Sequence, residues 1–433
     1  MNLLVTNTHA PQAYAVIRAL RPYAEKIVAT VEGDNPLRSR FAHAALTRLV
    51  DRRRRVPSPV EDWWAGNVSG ENTYREEAFV EAILAICRDE RIDAIFPSWD
   101  PHVYVLAKNR ERLVQQGVVL PVPDFETLLT ALDKSRTIDA AHEVGFPTPQ
   151  SVLHEDGANL RETVARVGFP LVLKPRFTSG GRGMAIVKDD HELRETLPLV
   201  IRSHGNPIIQ EYIPGGQRSS VQLVVDQAGR VVFAFRKSRH RSLRVTARFG
   251  TVSESAEPEP EASEAAALIR RLGLWGAMGV ETILDPRDGV HKLMEVNPRF
   301  PRQLWNRTAL GINEPWMCLC IARGELVPAV EWYPRGVLFV NPVEDAGLLA
   351  YQATDRLVYV ARRRLQRYEP IDSLSGSPPL GELLRSFLVS YRGGNRKVVD
   401  PYSRFFLEDP VASVVWWLQF SGWLLGGWRR LGR

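Results

Sequence analysis

The sequence predicts a protein of more than one domain in the α/β and α+β classes: an N-terminal parallel-sheet α/β domain, a mixed core, and a mainly helical C-terminal extension. Three observations carry this. At 433 residues the chain exceeds what one hydrophobic core usually serves. Its first hundred residues alternate short apolar runs with helical periodicity, the pattern of a parallel sheet covered by helices. Farther along, apolar runs are joined by tight turns bearing Gly and Pro, as hairpins are. Boundaries are expected near residues 120 and 330, giving segments 1–120, 121–330 and 331–433. A hydrophobic content of 44% is ordinary for a globular chain.

In the first segment, Leu3-Leu4-Val5-Thr6 is expected to open the sheet and Ala13 to Leu20 to form the helix after it. Further strands are expected at Ile27 to Thr30 and Ala94 to Pro97, with a helix from Glu76 to Arg88. The first turn, Asn7-Thr8-His9-Ala10-Pro11, lacks the Gly-x-Gly-x-x-Gly that lets a pyrophosphate approach the backbone, which excludes a dinucleotide site there. His9 reads as a turn residue. Ser98-Trp99-Asp100 follows a strand end, where ligands sit in open α/β sheets. Asp100 is placed either to hold a substrate amine or to cap the helix through Val103 to Lys108.

The second segment carries the chemistry. Phe169-Pro170-Leu171-Val172-Leu173-Lys174-Pro175 is a short apolar strand with one Lys, running into Thr178-Ser179-Gly180-Gly181-Arg182-Gly183-Met184. Glycines let successive N–H groups turn toward an anion, and the strand-borne Lys adds a point charge, an order that suits nucleotide phosphates as well as a plain hairpin turn. Pro207-Ile208-Ile209-Gln210-Glu211-Tyr212-Ile213-Pro214-Gly215 ends an apolar strand in polar residues, the mix of walls and edge hydrogen bonds an adenine requires. Val280-Glu281-Thr282-Ile283-Leu284 and Leu293-Met294-Glu295-Val296-Asn297-Pro298-Arg299 flank Asp285-Pro286-Arg287-Asp288-Gly289, so a hairpin is expected with Glu281 beside Glu295. Acidic hairpin residues are often solvated or salt-bridged. Two carboxylates with an amide also make the hard oxygen set that Mg²⁺ takes.

These pieces in this order resemble the ATP-grasp superfamily, and especially carboxylate–amine ligases related to the carbamoyl-phosphate synthase and biotin carboxylase subdomains. The resemblance runs over roughly residues 121 to 325 and includes Leu132-Asp133-Lys134-Ser135-Arg136 followed by Gly145-Phe146-Pro147-Thr148-Pro149. It implies an ATP-grasp core with a lid subdomain, and ATP with Mg²⁺, or Mn²⁺ in its place, as cofactors. Lys134 and Lys174 would contact the phosphates, with the loop of Ser179, Gly180, Gly181, Gly183 and Met184 closing over them. Gln210, Glu211, Tyr212 and Ile213 would line the adenine site. Glu281, Glu295 and Asn297 match the metal positions, and Arg299 would meet the transferring phosphate or the substrate carboxylate. Gly216-Gln217-Arg218-Ser219 lacks the carboxylate that the family usually offers to the ribose.

The resemblance implies a ligase that activates a small carboxylate as an acyl phosphate for attack by an amine, with Lys174 and Arg299 as the catalytic residues. Two alternatives stay open at this stage: bicarbonate activation in the manner of biotin carboxylases, and a non-catalytic, membrane-associated ATP sensor. The net charge of +6 and pI near 9.3 are spread along the chain, with Arg52 to Arg55 expected in a loop, so no nucleic-acid partner is indicated. A basic stretch from Arg236 to Arg248 is either a solvated surface or a contact for an acidic substrate. The acidic stretch Glu254 to Glu261 is expected to be a linker into a helix from Ala262 to Leu272.

Cys87, Cys318 and Cys320 make neither a disulfide framework nor a zinc site and are expected to be buried thiols. The expected location is cytoplasmic. In the extension, Thr354 to Tyr368 suggests an amphipathic helix and Ser373 to Pro379 a connector. Val411 to Trp428 has no charged residue, carries four tryptophans and precedes Arg429, Arg430 and Arg433. Its expected role is docking on the body or across a homodimer, or lying at the inner face of a membrane.

Overall fold

The computed structural model describes residues 1–33, 42–60, 75–155, 159–178, 183–242, 250–347 and 396–419, with isolated positions between 349 and 391. The chain divides into two compact units, one of Met1–Arg236 with Glu257–Tyr333 and one of Lys237–Ala256 with Pro334–Arg433.

The first unit opens with a parallel sheet of β1 (Asn2–Val5), β2 (Lys26–Glu32), β3 (Arg52–Val56) and β4 (Ala94–Phe96) in the order β3-β2-β1-β4. Helices α1 (Pro11–Leu20), α2 (Glu76–Glu90) and α3 (Asp100–Lys108) follow their strands. Leu4, Val28, Phe79, Ile83, Ile95, Val105 and Leu106 form the core of this part. Arg52 to Arg55 therefore lie in a strand, not a loop. β3 is an edge strand, where charged side chains project to solvent and discourage pairing with another chain, and Arg54 meets Glu90 and Asp89 of α2.

A second sheet, all antiparallel, has the order β5-β8-β6-β7 from β5 (Ser151–Leu153), β6 (Leu171–Lys174), β7 (Ala185–Val187) and β8 (Ile208–Glu211). Leu171, Leu173, Val187, Leu193, Leu197, Val200 and Ile209 form its core with a helix over Asp190–His204. A third, antiparallel group in this unit sets β13 (His291–Asn297) against β12 (Gly276–Leu284) and β12 against β9 (Gln217–Val225). Val221, Leu223, Met278, Val280, Leu293 and Val296 pack on the helix Glu261–Arg271 and on Ala140 and Ala141 of the helix Lys134–Glu143.

The strand β10 (Val231–Ser242) follows β9 in the chain, and in the second unit β11 (Gly250–Ala256) pairs antiparallel with β14 (Leu338–Val340), which pairs parallel with β15 (Lys397–Val399). This corrects the linker expected at Glu254: Glu254, Ser255 and Ala256 complete a strand because Thr251, Val252, Ser253 and Ser255 are all buried. The expected linker shrinks to the few residues before Glu261. Cys87, Cys318 and Cys320 are free and buried, and burial raises their thiol pKa, Cys87 to about 12. Residues 354–368 and 373–379, and 243–248 of the basic stretch, lie outside the described residues.

Candidate active site

The acidic hairpin forms in the expected register, with Glu281 directly opposite Glu295 and Gly279 opposite Asn297. On the other side of β12, Glu281 faces Ser220 and Gly279 faces Gln222. Residues opposed across an antiparallel pair share a face, so Ser220, Glu281 and Glu295 form one row and Gln222, Gly279 and Asn297 the next. The intervening Val280 and Val296 point into the core. A shift in register between Glu281 and Thr282 marks a bulge beside the carboxylates, the kind of irregularity that re-aims side chains at functional sites.

A chain of polar contacts fixes one edge of this surface. Asn297 Nδ2 donates to Glu295 Oε1 at 3.2 Å, and Asn297 Oδ1 accepts from Arg299 Nη2 at 3.1 Å. Arg299 Nε in turn donates to Asp100 Oδ1 at 2.5 Å. Burial works against the Arg299 charge, but Asp100, Glu295 and Glu281 outweigh it and hold the guanidinium above its ordinary pKa. Asp100 thus orients Arg299 from the first position of its helix, after the N-cap Trp99.

Lys174 ends β6 and is only 4% exposed. Burial pulls its ammonium down from the ordinary 10.5 to about 7; Glu295 and Glu281 resist this, whereas the positive charges of Arg218 and Lys134 add to it. These same influences show that the two lysines, Arg218 and the paired carboxylates share one electrostatic neighbourhood. Lys134 follows the N-cap Asp133, and its Nζ donates to the carbonyls of Arg176, at 3.4 Å, and Thr178. Burial lowers its pKa as well, against Glu295, Asp100 and Asp133. Arg176 grips Asp133 with two hydrogen bonds, 3.1 and 2.5 Å, so the segment after β6 is tied to the helix that carries Lys134.

Gln210 is buried in β8, and its Nε2 donates to Ser151 Oγ at 2.8 Å. The Glu211 carboxylate accepts from the Gln150 amide at 3.2 Å and meets Arg287 of the hairpin turn at 2.5 Å. Tyr212 donates its amide to the Pro170 carbonyl at 3.4 Å, and the Ile213 side chain is buried. Gly183 has φ of 65°, in the left-handed region that favours glycine, and a Cβ there would push against the ring of His204. Met184, after it, is 36% exposed. Ser179, Gly180 and Gly181 lie outside the described residues.

Sequence reasoning did not single out Asp133 and Arg176 as a clamp, Arg287 as a partner of Glu211, or Arg218, Ser220 and Gln222 as neighbours of the carboxylates. The last three recur at every second position of β9, a signal that becomes meaningful once the register is known.

Against known proteins, residues 131–302 match the ATP-grasp domain model and residues 72–121 the model of the PylC-like N-terminal domain. The match to the ATP-grasp domain thus follows the match to the N-terminal module along the chain. It is similar to carbamoyl phosphate synthase large chains, 26% identical over 245 residues to that of Thermus thermophilus and 27% over 250 residues to that of Mycobacterium tuberculosis, in each case over 54% of this chain. It spans 24% and 22% of those proteins' lengths.

Among solved structures, the biotin carboxylase domain of Hydrogenobacter thermophilus 2-oxoglutarate carboxylase, crystallised with MgADP and bicarbonate, shares the fold at a TM-score of 0.62. Identity is 19%, with 78% of this chain and 73% of that one covered. Biotin carboxylase of Campylobacter jejuni aligns at a TM-score of 0.60 with 18% identity, over 78% of this chain and 74% of that one.

Proposed function

We propose that this protein is an ATP-dependent carboxylate–amine ligase. The observation that carries the proposal is the linked set Asp100, Arg299, Asn297 and Glu295 standing opposite Glu281, with Lys174 and Lys134 in the same neighbourhood. The site offers two buried lysines, which nucleotide phosphates would hold protonated, and an oriented Arg beside paired carboxylates, which is what alignment and charge neutralisation of a triphosphate require.

Glu281, Glu295 and Asn297 would hold Mg²⁺, for which Mn²⁺ is the expected substitute. The donor set fits: two carboxylates are held side by side, and Asn297 Oδ1 keeps a lone pair beyond the one given to Arg299. When bound, the ion neutralises phosphate charge. Lys174 and Lys134 grip the phosphates, and Lys134 does so by exchanging its carbonyl partners for phosphate oxygens. Residues 210–213 border the adenine. Arg299, kept charged and oriented by Asp100, receives the substrate carboxylate.

A carboxylate oxygen of that substrate attacks the γ-phosphorus, the bond to the β-bridging oxygen breaks, and ADP leaves. An amine then attacks the acyl phosphate carbon, phosphate leaves with the bonding pair, and the nitrogen loses a proton to give the amide. Cleavage needs no nucleophilic Ser or Cys. The test is Mg²⁺-dependent ADP release from the purified chain with ATP and pools of small carboxylates, with hydroxylamine present. A hydroxamate formed together with stimulated ADP release is expected. Binding of ATP with no stimulation by any pool and no hydroxamate would count against ligase chemistry.

A second surface bears on where the protein works. The helix at 410–419 turns Val411, Val414 and Leu418 to solvent at 58%, 41% and 58% exposure, while Ala412, Ser413 and Trp416 are buried. Spacings of three and four put the exposed residues on one helix face. Among the described residues no helix is long and apolar enough to cross a membrane. We propose that this stripe rests on an anionic bilayer surface, together with the uncharged, Trp-bearing sequence that continues to Trp428 and the arginines beyond it. Residues 420–428 themselves lie outside the described residues.

A further inference from the structure

Beside Arg299 lies a small cavity that no phosphate or metal position uses. It belongs to the first unit, is partly open, and has a volume of about 10 Å³, the least that holds one water-sized group. A methyl group is of that size. Among the described residues of its lining, Arg299 alone is charged.

The chain makes the rest of the lining apolar in two ways. Pro97, Pro121, Pro123 and Pro298 contribute to it and have no backbone N–H to offer. The polar groups around them are engaged elsewhere. The carbonyls of Leu120, Val122 and Pro123 accept from the Arg110 guanidinium, at 3.1 Å for Leu120 and 2.9 Å for Pro123, and the Val122 amide donates to the Leu120 carbonyl. Val103 and Phe300, both buried, supply hydrocarbon walls, and Ala277 of β12 closes the lining. Ala277, Gly279 and Glu281 alternate on one face of β12, so the cavity continues the surface that carries the paired carboxylates.

Arg299 can present a carboxylate to this cavity. Of the five N–H groups of its guanidinium, Nε is engaged with Asp100, one on Nη1 with the Phe300 carbonyl at 3.4 Å, and one on Nη2 with Asn297. One N–H on each terminal nitrogen is left among the described contacts, the fork that a carboxylate takes.

We propose that this cavity selects the substrate by size and polarity: a monocarboxylate whose chain beyond the carboxyl is about one or two carbons long and uncharged, of the kind of acetate or propanoate. The inference rests on the ligase reading and deepens it by naming the carboxylate. A methyl or ethyl group displaces water from the proline walls, whereas an ammonium or a second carboxylate there loses its hydration and gains no partner. Bicarbonate is disfavoured on the same ground, because its hydroxyl would face those walls.

The test measures Mg²⁺-dependent ADP release and hydroxamate formation by the full chain with ATP and hydroxylamine, offering acetate, propanoate, hexanoate, malonate, β-alanine or bicarbonate in turn. Acetate or propanoate is expected to exceed each of the other four in kcat/KM by about tenfold or more. Ala277→Val narrows the cavity and should move the preference from propanoate toward acetate. Phe300→Leu widens it and should raise kcat/KM for hexanoate severalfold, a gain that misfolding cannot mimic; melting temperatures show that both variants fold. The proposal is overturned if hexanoate, malonate, β-alanine or bicarbonate is preferred by the parent protein, or if both variants fold and keep the parent's order of carboxylates; ligase chemistry would stand in either case. Where no carboxylate stimulates ADP release, the ligase reading fails and equilibrium dialysis of radiolabelled propanoate with MgADP decides the cavity. Binding displaced by acetate and not by malonate supports it, and no propanoate binding overturns it.

Discussion

Lys174 shows how a single residue links burial to function. Its ammonium is pulled to about 7, while an unfolded chain would keep it near 10.5. Between those values the unfolded state binds a proton that the folded state does not, so the contribution of this group to stability rises with pH across that window and is least below 7. Nucleotide phosphates would restore the proton by supplying counter-charge. Titration calorimetry at about pH 8, in buffers of different ionisation enthalpy, should therefore show proton uptake on ATP binding, absent in Lys174→Met. Equal uptake in the variant would remove Lys174 from the phosphate site. Glu295→Gln keeps shape and the contact with Asn297 but loses charge. It should lower Mg²⁺-dependent ADP release by about a hundredfold or more with little change in melting temperature. Unchanged release would refute the metal assignment.

Two element-level clamps organise the site. Asp133 both caps the helix carrying Lys134, accepting from the Ser135 amide at 3.0 Å, and grips Arg176 beyond β6. Asp133→Ala should destabilise the chain by about 2–3 kcal/mol in denaturant unfolding, whereas Asp133→Asn, which retains the cap, should cost roughly 1 kcal/mol less. Equal losses would mean that the cap contributes little. The hairpin turn is organised around Asp285, which accepts from Arg287 and from Lys292 at 2.6 Å and is held well below the usual carboxylate range by them. Arg287 reaches on to Glu211 at the end of β8. With Arg287 about half exposed, that pair is worth little in stability. Arg287→Ala should instead weaken ATP binding about threefold with kcat nearly unchanged, through the residues that follow Glu211; a pure kcat effect would argue against that route.

At the scale of the whole molecule, the exposed stripe of the C-terminal helix predicts sedimentation with vesicles rich in phosphatidylglycerol and little with phosphatidylcholine vesicles. Leu418→Glu should reduce the bound fraction severalfold. A dimer in solution that ignores both vesicles would assign the stripe to a second copy. Much of the architecture was legible beforehand, because it depends on local rules. Period-two patterning and the Asp-Pro-Arg-Asp-Gly turn specify the hairpin, and alternation specifies the parallel sheet with Leu3, Ile27 and Ala94 on its strands. The same rules misplaced Arg52 to Arg55, since an edge strand covered in charge looks like a loop until its neighbour is known. They misplaced Glu254 for a similar reason: burial of Ser253 and Ser255 depends on strands far away in sequence. Residue type, spacing and turn chemistry thus sufficed to pair Glu281 with Glu295 and to bring Lys134, Lys174 and Arg299 under suspicion. Tertiary structure alone decided that Asp100 orients Arg299 across 199 positions and that Arg287 meets Glu211. Those contacts arise from strand order and packing, which bring together residues that no local pattern in the chain relates.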